Sequence, residues 1–165
     1  MTAISNDDIF KSFGNERLWG GYMKCKCVVG KIRNISLLVD EYLNKKINEE
    51  KIPILKNHIS LFYILPSNSD SMLFNELSKE WGISKSSLSD IVNKYQKLGF
   101  VNKCSCCDDK RSVYLSLTNE GIEMKEILVR YESEFLELFF KGFDTNEREN
   151  FENQIDRLLY NSSSI

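Results

Sequence analysis

Apolar positions recur with the period of an α-helix along most of the chain and switch to strand-like alternation near residue 100. In residues 25–47, Val28, Ile32, Ile35, Leu38, Val39, Tyr42 and Leu43 fall three and four apart, which predicts a long first helix with one apolar stripe. Before it, Phe10, Phe13 and Trp19 are scattered without a sustained period, as in an arm that docks elsewhere. Pro53 breaks the pattern after the first helix. Residues 57–65 form a compact apolar helix stopped by Pro66, and the Ser, Asn and Asp residues at 67–71 have turn chemistry. A short third helix is expected over 73–81. Gly82 suits the left-handed residue that ends it, and Ser84 suits the N-cap of a fourth helix over 85–98 that Gly99 closes.

Residues 100–103 and 112–117 alternate as strands do, and the short polar stretch between them predicts a hairpin with a projecting loop. Thr118 can cap a fifth helix over 119–140, with Ile122, Leu128, Tyr131, Phe135, Leu138 and Phe139 on its apolar side. Gly142 ends that helix, and Asp144 or Thr145 caps a last one through Phe151, Ile155, Leu158 and Leu159. A short helix, a glycine turn, a second helix and then a hairpin is the order of a winged helix-turn-helix. The expected fold is therefore mainly α with a small β-hairpin wing and long dimerisation helices at both ends. The expected division is an arm and first dimerisation helix at 1–50, a DNA-binding winged helix-turn-helix at 54–118 and C-terminal dimerisation helices at 119–165. Phe135, Leu138, Phe139, Phe151, Ile155 and Leu158 supply more apolar surface than a small winged-helix core can cover, which points to a homodimer.

Within 165 residues, 42% are apolar and 12% aromatic, enough for a packed core. No run approaches the ~18 uninterrupted apolar residues of a membrane span. Asp7 and Asp8 stand where a secretory signal would place its apolar stretch, so a cytoplasmic protein without membrane contact is expected. The net charge of -2 excludes nucleic-acid binding through bulk charge and leaves only local patterning. From Lys79 to Arg111 there are 7 basic and 4 acidic side chains; from Val113 onward there are 5 and 11. The basic segment coincides with the helix-turn-helix and its hairpin.

Leu88, Ile91, Val92, Tyr95 and Leu98 take the inner face of the fourth helix by their spacing. Lys85, Ser86, Ser89, Asp90, Asn93, Lys94 and Lys97 are left outward, with Ser87 in the first turn. Short polar residues near the N-terminal end can reach base edges in a major groove, while Lys94 and Lys97 can neutralise phosphates. The hairpin adds Lys110 and Arg111, whose charge suits a narrow minor groove. An ordinary solvated helix face is the simpler account of the lysines taken alone.

The runs Phe74-Asn75-Glu76-Leu77, Gly82-Ile83-Ser84-Lys85-Ser86-Ser87-Leu88-Ser89, Leu98-Gly99-Phe100-Val101, Asp109-Lys110-Arg111-Ser112 and Leu117-Thr118-Asn119-Glu120-Gly121 resemble the MarR family of transcriptional regulators. The resemblance covers residues 57–121 closely and the remainder by helix order. It implies a triangular homodimer whose recognition helices read a pseudo-palindromic site in double-stranded DNA. It also implies that Asp109 orients Arg111 for entry into the minor groove. Asp90 departs from the family, standing where many members carry a basic residue. An acid there is unfavourable beside phosphates unless it accepts from a cytosine amino group or pairs with Lys94. Cys104, Cys106 and Cys107 also depart from it, replacing the usual start of the wing.

The five cysteines lie at Cys25 and Cys27 and at Cys104, Cys106 and Cys107. Three readings stand open: oxidation sensing by thiols lowered in pKa beside Lys24, Lys26 or Lys103, binding of a thiophilic metal ion, or inert small side chains. A closed zinc site in the wing would need a fourth ligand, such as Asp108, and the Cys-x-Cys spacing is not that of a zinc knuckle. His58, the only histidine, is expected to be a surface or capping residue. Trp19, Tyr22, Phe62 and Tyr63 are either core or the lining of a pocket for a small-molecule effector. With no phosphate-binding glycine loop and no nucleophile motif, the chain does not read as an enzyme. The function expected is a DNA-binding regulator, in most cases a repressor released by a ligand, oxidation or metal; the rival is a winged-helix adaptor for protein contacts.

Overall fold

The computed structural model describes residues 27–68, 70–105 and 112–163. Among the described residues nine elements follow in order: α1 (Val28–Glu49), α2 (Ile59–Ile64) after a 3-10 turn at Lys56–His58, β1 (Met72–Leu73), α3 (Phe74–Trp81), α4 (Lys85–Lys97), β2 (Val101–Ser105), β3 (Val113–Leu117), α5 (Asn119–Phe139) and α6 (Thr145–Ser162). The fold is thus mainly α with a small antiparallel sheet, as the periodicity predicts. Two compact units make it up, one spanning Ser36–Glu132 and one combining Met1–Ile35 with Ser133–Ile165.

In the unit spanning Ser36–Glu132, Leu61, Phe62, Leu65, Leu77, Leu88, Val92, Tyr95, Leu115, Leu128 and Tyr131 have no exposed surface. Phe62 is therefore core, and Tyr63 is half-buried with its hydroxyl donating to the Leu128 carbonyl at 3.4 Å. Burial, reinforced by Glu132, pushes the Tyr63 hydroxyl well above its ordinary pKa. Pro66 forces Leu65 into extended backbone and cuts α2 short. Lys125 of α5 donates to the carbonyls of Tyr63 at 3.3 Å and Leu65 at 2.7 Å, satisfying acceptors that the broken helix leaves open. Burial lowers the pKa of that ammonium.

Three local devices place α4. Gly82 takes φ +70°, its N–H donates to Lys79 and the Ile83 N–H to Ser78, a Schellman end that stops α3. Ser78, a buried polar side chain, returns a hydroxyl bond to the Ile83 carbonyl at 2.8 Å and so ties the turn from both sides. Ser84 then caps α4 by accepting from the Ser87 N–H at 3.1 Å. Beyond α4, Gly99 takes φ +80° and the chain enters β2.

The sheet has order β1-β3-β2, where the alternation predicts only two strands. Val101 to Ser105 of β2 oppose Leu117 to Val113 of β3, and Met72 and Leu73 oppose Leu115 and Tyr114. A two-residue strand is too short to show a period, which is why Met72 reads as part of a turn. The hairpin is locked to α5 at its base. Thr118 donates its hydroxyl to the Gly99 carbonyl at 2.6 Å and its N–H to the Phe100 carbonyl at 3.1 Å, and accepts from the Gly121 N–H at 3.0 Å. Gly121 itself packs against the Phe100 carbonyl so closely that a Cβ would overlap its oxygen.

In the second unit, Phe139 and Phe140 meet Phe151 edge to face at 6.1 and 5.5 Å, and Phe135 stacks on Phe139. Asp144 and Glu147 form a reciprocal capping box at 2.9 Å each way, which starts α6. Further along α6, Ile155, Leu158, Leu159 and Tyr160 are exposed, as are Val28, Val29 and Ile32 on α1. No described helix is long and apolar enough to cross a membrane.

Candidate nucleic-acid interface

Leu88, Val92 and Tyr95 anchor α4 in the core with no exposed surface, and Ile91 is half-buried beside them. That spacing leaves Lys85, Ser86, Ser87, Asp90, Asn93 and Lys97 exposed, with Ser89 and Lys94 half-buried. Leu98 does not complete the inner stripe. It is 42% exposed, because α4 ends at Lys97 and the residue that caps its last turn no longer follows the helical face inward.

The N-terminal end of α4 is a serine cluster. The Ser84 hydroxyl lies 2.9 Å from both Ser86 Oγ and Ser87 Oγ while it caps the helix. A serine that spends its proton on Ser84 is left to present lone pairs outward. No acidic residue occupies the first turn, and Lys85 opens it, so the positive end of the helix dipole is uncompensated.

Lys94 lies 5.4 Å over the Tyr95 ring, and among the described residues no ion pair joins it to Asp90. It borders an open groove of about 530 Å³ whose walls include Asn57, His58, Trp81, Ile83, Ser87, Asp90 and Ile91. His58 is half-buried, not a free surface residue. Its Nδ1 is 3.1 Å from the Tyr95 hydroxyl, whose oxygen also accepts the Leu55 N–H at 3.1 Å. Burial, then the nearby Lys94 charge, lowers the His58 pKa; burial raises that of Tyr95. The link joins residues 37 apart, and its one trace in the sequence is a tyrosine at a fully buried helix position, where a phenol needs a partner.

In the wing, Asn102, Lys103, Cys104 and Ser105 of β2 are exposed, and Lys103 is a basic side chain that the reading of the helix face passes over. Cys104 stands opposite Tyr114 with a free thiol, and Cys27 is exposed. The Gly30 N–H approaches the Cys27 sulfur at 3.4 Å. Cys106, Cys107, Asp109, Lys110 and Arg111 lie outside the described residues, as do Trp19, Tyr22 and Cys25. Among the described residues no three His, Cys, Asp or Glu side chains cluster in a way that could hold a metal ion.

No family model matches the sequence, and no curated protein matches it. Solved structures do resemble the fold. A MarR transcriptional regulator from Methanosarcina mazei superposes with TM-score 0.72 at 24% identity, over 82% of this chain and 96% of that one. MarR from E. coli superposes with TM-score 0.67 at 17% identity, over 82% and 98%. MepR from S. aureus, in its DNA-binding conformation, gives 0.67 at 16% identity over the same shares. The chain has the winged-helix fold of these regulators.

Proposed function

We propose that this chain, built on the fold shared with MarR-type regulators, is a sequence-specific DNA-binding transcriptional regulator that acts as a homodimer and represses. The observation that carries the reading is α4, whose inner residues Leu88, Val92 and Tyr95 are fully buried while Lys85, Ser86, Asn93 and Lys97 project outward from a helix followed at once by a hairpin. Such a helix, fixed from behind, can enter a major groove as a rigid reader, with Ser86, Ser87, Ser89 and Asn93 at base edges and Lys85, Lys94 and Lys97 at phosphates. The uncompensated N-terminal end of α4 favours the same anionic partner. In this reading Lys110, together with Arg111 oriented by Asp109, completes the wing contact.

Residues 54–118 are the DNA-binding part, and 1–50 and 119–165 are the dimerisation parts. The support for a dimer is the exposed Leu158, Leu159 and Tyr160 on α6 and Val28 and Val29 on α1, large apolar side chains left exposed among the described residues. Release by a small effector, or by oxidation of the exposed thiols of Cys27 and Cys104 together with Cys25, Cys106 and Cys107, would need different affinity for two dimer conformations.

Fluorescence anisotropy with a short duplex at several salt concentrations tests the reading. Neutralising about eight phosphates per dimer gives a slope of log affinity against log salt on the order of -7. A flat salt response would instead favour an adaptor that uses the winged helix for protein contacts.

A further inference from the structure

The Tyr95 phenol is the one polar group on the inner face of α4, and it has a single proton to give. The Leu55 N–H donates to its oxygen at 3.1 Å, so the phenol proton is free to go to His58 Nδ1, also 3.1 Å away. With the phenol as donor, Nδ1 is the lone-pair acceptor of a neutral imidazole whose proton sits on Nε2. An imidazolium would turn Nδ1 into a second donor aimed at the same oxygen and leave the buried phenol proton without an acceptor. The ring of His58 also stands edge-on to Tyr95 at 5.7 Å, and Phe62 packs edge-on against Tyr95 at 5.2 Å, so the packed phenol ring has little room to swing to another partner.

We infer that His58 is a positioning residue for α4: its unprotonated Nδ1 holds the Tyr95 phenol, and protonation on acidification loosens the inner face of α4 and weakens DNA binding. This inference rests on the DNA-binding reading of α4. The charged groups that line the groove with His58 are Lys94 and Asp90 of α4; in its own turn Lys56 reaches Asp40 of α1 at 4.0 Å, and α3 contributes the uncharged Trp81. Lys94 opposes a second positive charge beside it, and Asp90 favours one. Burial and Lys94 prevail, since His58 is held below its ordinary pKa. The neutral form therefore dominates at pH 7, and the link fails only as the solution becomes acidic.

His58→Asn places an amide oxygen near Nδ1, keeps an acceptor for the phenol and removes the titration. Affinity for a duplex selected by the wild-type protein at pH 7.5 is measured by anisotropy from pH 7.5 to 5.0, alongside protection of the Leu55 amide from exchange in the free proteins. The wild type is expected to lose about fivefold in affinity relative to His58→Asn at the acid end, the worth of one hydrogen bond, together with Leu55 protection. Tyr95→Phe should bind more weakly than wild type at pH 7.5 and show no such acid loss. The same acid loss in His58→Asn as in wild type, or unchanged Leu55 protection in wild type, overturns the inference. Leu55 protection that falls with acid in a protein binding no duplex at any pH would sustain the His58–Tyr95 link and defeat the DNA-binding reading instead.

Discussion

Gly121→Ala sets two physical expectations against each other. Gly121 lies in the first turn of α5, where alanine would ordinarily stabilise a helix by up to about 1 kcal/mol. Its surroundings reverse the sign. A Cβ at Gly121 would overlap the Phe100 carbonyl oxygen, a backbone atom that cannot rotate away, and would stand 3.3 Å from the Leu117 Cβ. That same carbonyl accepts the Thr118 N–H at 3.1 Å, so relief by moving it loosens the bond joining α4's exit to the base of the wing. Overpacking costs about 1–3 kcal/mol and a weakened backbone bond about 1 kcal/mol, against a propensity gain of about 1 kcal/mol, for a net loss of about 1–3 kcal/mol. In a chain of this size that is a fall in melting temperature of roughly 2–12 °C. Urea titration and calorimetry on the two proteins read it directly. A Gly121→Ala variant as stable as wild type, or more so, would refute the close approach of Phe100.

Ser84→Ala removes the cap of α4 and the hub of the serine cluster and should cost about 1 kcal/mol by denaturant titration; a neutral result would mean the cap is dispensable. Lys125→Met leaves the Tyr63 and Leu65 carbonyls without their donor, for a loss of about 1–2 kcal/mol in the same assay, and unchanged stability would discount that cap. Because the folded protein holds His58 below its ordinary pKa, the stability tied to its neutral form is complete above about pH 6.5 and declines as pH falls below that, through the lowered folded value. The stability difference between wild type and His58→Asn across that range is the check, and a constant difference would contradict the shift. Lys97→Ala should weaken duplex binding evenly across sequences and reduce the salt slope by about one per protomer, whereas Asn93→Ala should change which sequence is preferred.

The order of elements was legible because punctuation and period agree. Gly82, Gly99 and Gly142 all take positive φ where the helical patterns stop, and Ser84 and Asp144 cap the helices they precede. The run Leu117-Thr118-Asn119-Glu120-Gly121 has a packing reason as well: Thr118 and Gly121 seat the wing on α5. What the sequence could not convey depends on contacts between distant residues. Met72 and Leu73 become a strand only by pairing with β3, and His58 gains its role from a tyrosine in another helix. Leu98 keeps the spacing of the inner stripe but sits past the last regular turn, and Lys94 prefers the Tyr95 ring to Asp90. The outward set on α4 followed from period alone, since burial of Leu88, Val92 and Tyr95 fixes what the opposite face must be.

Selection from a random duplex library by the purified protein, followed by sequencing of the retained pool, tests the central claim most directly. A symmetric reader with one α4 per protomer predicts enrichment of an inverted repeat with half-sites about 10 base pairs apart. A retained pool as random as the input, with binding indifferent to salt, would contradict it.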